Sequence, residues 1–239
     1  MSVSADIQAR LGGFSLQAAF SAGSTVALLG ASGAGKTLTL RALAGLVRPQ
    51  AGHISVGGRT LFDGAAGVDV PTRARRLGYV FQDYALFPHL SVAANIAYGL
   101  AGRSSQAARA RVSEVAGLLG IGELLARRPA QLSGGQRQRV ALGRALAPEP
   151  AALALDEPFA ALDAPVRAEL VARFRELQEQ TGVPTVLVTH DAAEAYLLAR
   201  ESVVLEAGRV LQAGPREEVF GAPASPAVAR LVGISNLLN

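Results

Sequence analysis

The sequence predicts an α/β fold organised around a parallel sheet, and two observations carry that prediction. Val26 to Leu29, Ala151 to Leu155, Thr185 to Val188 and Ser202 to Leu205 are apolar runs of strand length separated by helix-patterned segments. Strands covered by helices on both faces read as such unbroken runs rather than as alternating ones. Half of the 239 residues are hydrophobic and only 18% are charged, enough for a large core.

In chain order, residues 3–29 read as two or three short strands with a turn at Gly12-Gly13, an N-terminal antiparallel β region. Leu38 to Ala44 reads as a helix following the Val26–Leu29 strand. His53 to Leu61 is strand-turn-strand, punctuated by Gly57-Gly58, and Gly78-Tyr-Val-Phe-Gln82 is the next buried strand. From Ser91 to about Gly120 the period becomes helical, with Val112, Val115, Ala116 and Leu119 on one face. A second, Arg-rich helix spans Arg137 to Ala147. Together they form a helical lobe inserted over roughly residues 85–148, within one domain expected to span 1–239.

Composition narrows the functional classes. The chain has no Cys, which removes disulfides, thiolate metal sites and cysteine nucleophiles, and suits the cytosol. No signal peptide is apparent. Residues 11–35 carry no charge, but six glycines and several serines break them into pieces too short to span a bilayer. The net charge of +4 comes from dispersed arginines, interleaved with Glu between Arg167 and Glu179, so charge alone does not indicate nucleic acid.

One lysine stands among 23 basic residues, and it lies in Gly30-Ala-Ser-Gly-Ala-Gly-Lys-Thr37. This is the G-x-x-x-x-G-K-[ST] loop that cradles phosphates between a strand and a helix. A compact ammonium fits between two phosphates where arginine's wide fork does not. Gly30, Ala31, Ser32, Gly33, Ala34, Gly35, Lys36 and Thr37 are therefore the predicted nucleotide cradle, and the core is a phosphate-loop NTPase sheet of RecA-like type.

Ala151 to Leu155 ends in Asp156-Glu157. In a phosphate-loop enzyme the first such acid, Asp156, holds Mg²⁺ beside the Thr37 hydroxyl, and Glu157 polarises the water that attacks the γ-phosphate. Leu132-Ser-Gly-Gly-Gln136 has capping-box spacing between Ser133 and Gln136. Its two glycines leave bare N–H groups at a positive helix end, suited to a phosphate arriving from outside the helix.

Leu132 to Gln136, in order with the phosphate loop and Asp156-Glu157, resembles the signature of the ATP-binding-cassette (ABC) ATPases, and the likeness covers essentially the whole chain. Gln82 resembles that family's Q-loop glutamine, Ala161-Leu-Asp163 its D-loop, and His190 its switch histidine. The resemblance implies a head-to-tail homodimer with two ATP molecules at the interface. Each phosphate loop would face Ser133, Gly134, Gly135 and Gln136 of the other subunit. Gln82 would touch the Mg²⁺ or attacking-water region. His190 would hold the γ-phosphate and the water in line with Glu157. Lys36, Gln82, Glu157 and His190 are thus the catalytic candidates, and Thr37, Gln82 and Asp156 the Mg²⁺ candidates. His53 and His89 are assigned structural or surface roles.

Gly78 to Val92, followed by Asn95-Ile-Ala-Tyr-Gly99, looks like the ATPase subunits of prokaryotic importers. That likeness implies a peripheral protein on the cytoplasmic face of the membrane, joined to permease subunits and, through them, to a solute-binding protein. Tyr84, Leu86, Phe87 and Pro88 would form the apolar wall of the cleft that receives the permease. Arg10 to Phe20 looks most like the ATPases of molybdate and tungstate importers, although sulfate, ferric iron, polyamine and sugar systems use similar subunits. Relatives acting on nucleic acid or ribosomes commonly carry coiled-coil or zinc insertions or a second cassette, so no nucleic-acid partner is expected. Two departures stand out. Leu11 falls where the family often stacks adenine on an aromatic, with Phe14 reading as a core-strand residue, and Ala160 replaces a frequent serine. No C-terminal regulatory domain is expected, because Ile234 to Asn239 falls where one would begin.

Overall fold

The computed structural model of the chain describes residues 2–160 and 162–234. Ala161 of the D-loop run and residues 235–239 of the C-terminal run lie outside the described residues.

Strands β1 (Val3–Leu11) and β2 (Phe14–Ala22) pair as an antiparallel hairpin across Gly12-Gly13. Every second side chain of each is buried, Val3, Ala5, Ile7 and Ala9 against Leu16, Ala18, Phe20 and Ala22, as a sheet with one core face requires. β3 (Val26–Leu29) is buried at all four residues and leads through the phosphate loop into α1 (Lys36–Ala44). The helix begins two residues earlier than its apolar pattern suggests, because Lys36 and Thr37 already belong to its first turn. β4 (Ala51–Val56), β5 (Arg59–Asp63) and β6 (Val68–Asp69) extend the antiparallel region, and β7 (Leu77–Val80) returns to the core.

The helical lobe follows with α2 (Val92–Ala97), α3 (Ser105–Leu118) and α4 (Gly134–Leu146), then β8 (Ala152–Asp156), α5 (Ala164–Thr181), β9 (Thr185–Val188) and α6 (Ala192–Leu198). The described chain closes with β10 (Glu201–Glu206), β11 (Arg209–Pro215), α7 (Arg216–Gly221) and α8 (Pro226–Leu231). Ser91, Ser104, Ser133 and Asp163 each cap their helix by accepting a backbone N–H.

The strands form one sheet in the order β6-β5-β4-β1-β2-β11-β10-β3-β9-β8-β7. From β10 to β7 all neighbours are parallel, the α/β core the apolar runs predict. β11 joins this core to the antiparallel half by pairing antiparallel with β10 and parallel with β2 at Arg209 and Gln17. The strand has no apolar run and is not apparent in the sequence. One core lies under α2 to α5, a second between the antiparallel region and α1, and a third under α6 to α8. Among the described residues no helix is long and apolar enough to cross a membrane.

Two close approaches fix the elements around the site. Arg75, 1% exposed, donates to the carbonyls of Ala42 and Leu43 at 2.9 and 2.8 Å and so ties off the C-terminus of α1. In sequence it looks like half of a surface Arg pair. On the other side α4 lies so near β7 that a Cβ at Gly78 would sit 2.6 Å from the Ala145 carbonyl oxygen.

Candidate functional site

Strands β3, β7, β8 and β9 are parallel, so the loops that leave them emerge at one edge of the sheet, the usual ligand position in such folds. The phosphate loop follows β3, Gln82 lies just beyond β7, Asp156 ends β8 with Glu157 next, and His190 lies just beyond β9. Three of these stretches meet around one cavity of about 410 Å³, lined by Ser32 to Leu38, Gln82 and Glu157, and His190 adjoins it through Glu157.

The loop is shaped by close packing. A Cβ at Gly30 would sit 2.3 Å from the Leu205 carbonyl oxygen, and one at Gly35 would meet Leu16 at 2.9 Å with φ at 105°. Only glycine fits at either place. Lys36 is 5% exposed and donates from Nζ to the carbonyls of Gly30 and Ala31 at 2.7 and 3.0 Å. Burial lowers its pKa, and the Glu157 and Asp156 carboxylates oppose that shift. The side chain thus closes its own loop while pointing a desolvated cation at the position a phosphate would take.

Thr37 donates from Oγ1 to Asp156 Oδ1 at 2.8 Å. Asp156 is 4% exposed, and burial pushes its carboxyl above the usual carboxylate range. A hydroxyl, a buried carboxylate and the neighbouring Gln82 amide form an oxygen-rich donor set of the kind Mg²⁺ takes. Among the described residues no group of three or more His, Cys, Asp and Glu is arranged to hold a metal ion by itself. Mg²⁺ here would therefore draw its remaining ligands from nucleotide phosphates and water.

Glu157 has φ of 45°, a strained backbone for a residue with a Cβ, and its N–H donates to the Val188 carbonyl at 2.9 Å. That turn aims its side chain between two partners. Gln82 Nε2 donates to Glu157 Oε2 at 3.4 Å, and His190 Nδ1 lies 3.4 Å from the same oxygen. An acid flanked by an amide and an imidazole at the mouth of a phosphate cradle can orient and deprotonate a water. Behind His190, Thr189 Oγ1 donates to the buried Glu194 carboxylate at 2.7 Å, and Arg167 links Asp191 to the Leu162 carbonyl.

Ser133 to Gln136 do not join this cavity. They form the start of α4, with the reciprocal capping box in place and Gly134 and Gly135 packed against Leu162, Val166 and Leu170. Here the glycines have a packing reason as well, since a Cβ on Gly135 would approach Val166 to 3.0 Å.

Some site residues are missed by sequence reasoning. Tyr79 donates from its hydroxyl to Asp156 Oδ2 at 3.3 Å, holding the carboxylate from the side opposite Thr37. Burial, then the Asp156 charge, pushes that hydroxyl's pKa up. Arg41 of α1 lines the cavity. Phe14 packs against the core of the antiparallel region and also reaches the site. It is half-buried, and with the exposed Leu11 it lines the cavity beside Gly35, where a base could lie. Tyr84 also differs from expectation: it is 7% exposed and belongs to the core under the lobe. The adjacent cleft of about 620 Å³ is instead walled by Phe81, Phe87 and Tyr98, with Arg73, Arg76 and Arg144 around them. Tyr98 is 60% exposed there.

The ABC transporter family profile matches residues 14–160. A molybdenum import ATP-binding protein of Mesorhizobium japonicum is 49% identical over 92% of this chain and 60% of that protein. A sulfate/thiosulfate import ATP-binding protein of Synechocystis is also 49% identical, over 90% of this chain and 60% of that one. The dimeric post-hydrolysis structure of the ATP-binding cassette MJ0796, bound to ADP and Pi, superposes with a TM-score of 0.74. Its identity is 27%, and the match covers 90% of this chain and 99% of that one. The chain spans about 60% of the length of the import proteins it matches. It belongs to the ABC transporter family.

Proposed function

We propose that this chain is the ATP-hydrolysing subunit of an importer that drives uptake of an oxyanion, molybdate or tungstate, through a separate membrane permease. The observation that carries the reading is the meeting of Lys36, the Thr37–Asp156 pair and the Gln82–Glu157–His190 group at one sheet edge. Residues Gly30 to Thr37 bind the triphosphate through loop N–H groups and Lys36. Thr37, Asp156 and Gln82 would hold Mg²⁺, which would supply charge neutralisation at the phosphates. Glu157 takes a proton from the attacking water, and His190 keeps that carboxylate aligned.

Ser133 to Gln136 stand apart from the cavity of their own chain, which favours a head-to-tail homodimer in which they close the partner's site. The dimeric arrangement of the MJ0796 cassette supports the same reading. The aromatic cleft at Phe87 and Tyr98 is suited to a permease helix on the cytoplasmic face of a membrane. The solute-binding protein then belongs to the same assembly without touching this chain. The cargo reading rests on the molybdenum import relative, and the equally similar sulfate/thiosulfate relative makes sulfate the second reading.

The test is a tagged pull-down from detergent-solubilised membranes of the source cell. Recovery of a multi-pass permease is expected, after which its binding protein is titrated with molybdate, tungstate and sulfate. Recovery from the soluble fraction with ribosomes or nucleic acid, and no permease, would overturn the transport reading.

A further inference from the structure

We propose that Arg144 is a positioning residue that sets the backbone of the Gln82 loop and ties it to α4, the helix that begins with Ser133 to Gln136. The inference rests on the nucleotide reading of Gln82 given above. Just after Gln82 the chain passes through Tyr84 and Ala85 at φ of 63° and 42°. Two consecutive residues with a Cβ in the left-handed region are disfavoured, so surrounding contacts must hold them there.

Arg144 supplies the hold. Its Nη1 donates to the Ala85 carbonyl at 2.6 Å and its Nη2 to the Tyr84 carbonyl at 2.8 Å. One rigid guanidinium fork thus fixes two successive peptide carbonyls, which a lysine could not do with the same geometry. These are the only hydrogen bonds between residues 82–86 and α4 among the described residues. The buried Tyr84 hydroxyl and the buried Gln138 amide, from the same two elements, make none among the described residues. Tyr84 and Leu86 pack into the core under the lobe, and the polar attachment of the loop to α4 is Arg144.

The rest of the path is rigid. α4 is locked onto β7, the strand leading into Gln82, by the close Gly78–Ala145 approach. Asn95 grips the far side of the loop, accepting from the Phe87 N–H at 2.9 Å and donating to the Phe87 carbonyl at 3.1 Å. The Arg144 guanidinium also lies 5.3 Å from the Phe87 ring centroid and lines the aromatic cleft. A helix seated in that cleft would touch the group that sets Gln82.

The experiment uses the full chain as wild type, Arg144→Gln, Ala85→Gly and the double variant. It reads hydrogen exchange over residues 82–90 and steady-state MgATP hydrolysis. Arg144→Gln is expected to speed exchange in that segment about tenfold while α4 and β7 keep wild-type protection. It lowers kcat about tenfold with KM changed less than about twofold, the pattern of a lost orienting contact. Adding Ala85→Gly restores about half of kcat or more, because glycine holds the left-handed turn without help. Exchange that rises equally across α4 and β7, an unchanged kcat, or no recovery in the double variant would overturn the assignment. If the wild type turns over no ATP, the proposed function fails, while the exchange comparison still decides the role of Arg144.

Discussion

At residue scale the chemistry concentrates on side chains whose surroundings leave them one conformation. Lys36 serves two needs at once, closing the loop through the Gly30 and Ala31 carbonyls and presenting its charge. Lys36→Ala is expected to lower MgATP hydrolysis about 10²-fold, the scale of a lost electrostatic contact to a transferring phosphoryl group. Lys36→Arg should fail almost as badly, since the fork has no room in the buried loop. Near-normal turnover by Lys36→Arg in a phosphate-release assay would contradict this. Tyr79 is the quieter case. Tyr79→Phe removes one of two hydrogen bonds on Asp156 and should weaken Mg²⁺ dependence about fivefold, with nucleotide affinity in EDTA unchanged.

Glu194 gives the pH prediction. Burial raises its carboxyl pKa. A raised folded-state pKa means that its contribution to stability is fully present below about 4.3, the unfolded value. That contribution is lost as pH rises through the folded value. Glu194→Gln should therefore raise the thermal midpoint at pH 8 and show a smaller gain at pH 4, as calorimetry can check. The phosphate loop, Asp156 and Glu157 were legible because their chemistry is encoded in contiguous residues. Tyr79 was not, because its contact with Asp156 crosses 77 positions of chain and leaves no local pattern.

At element scale, stability around the site depends on a few points where helices meet strands. Gly78→Ala would drive a methyl into the Ala145 carbonyl and the Leu153 side chain. A loss of about 2 kcal/mol is expected in denaturant unfolding, the usual size of overpacking in a tight core. Arg75→Ala strips the C-terminus of α1 of its buried cap and should cost on the order of 3 kcal/mol, since buried carbonyls lose a charged donor. The parallel strands were readable from their apolar runs, and the N-terminal hairpin from Gly12-Gly13. β11 was not, because only its partners β10 and β2 make it a strand and its own residues are mostly half-exposed. Tyr84 left its expected place in the cleft wall for a related reason. Alternation specifies the face of a strand, but at strand ends and in loops backbone direction decides which side chain turns inward.

At the scale of the whole molecule, one edge of an α/β sheet gathers the Gly30 to Thr37 loop, the Thr37–Asp156 pair and Glu157, while Ser133 to Gln136 stand apart at the start of α4. On the proposed reading, each chain carries two half-sites that it does not bring together itself. In the head-to-tail dimer we propose, each cavity would receive the partner's Ser133 to Gln136, and nucleotide would be the contact that closes the pair. The most direct measurement is light scattering on a sizing column of Glu157→Gln with MgATP, which binds nucleotide but lacks the base. The account predicts a dimer holding two ATP molecules, with hydrolysis reduced about 10²-fold or more. A variant that stays monomeric with ATP and still turns over at the wild-type rate would contradict it.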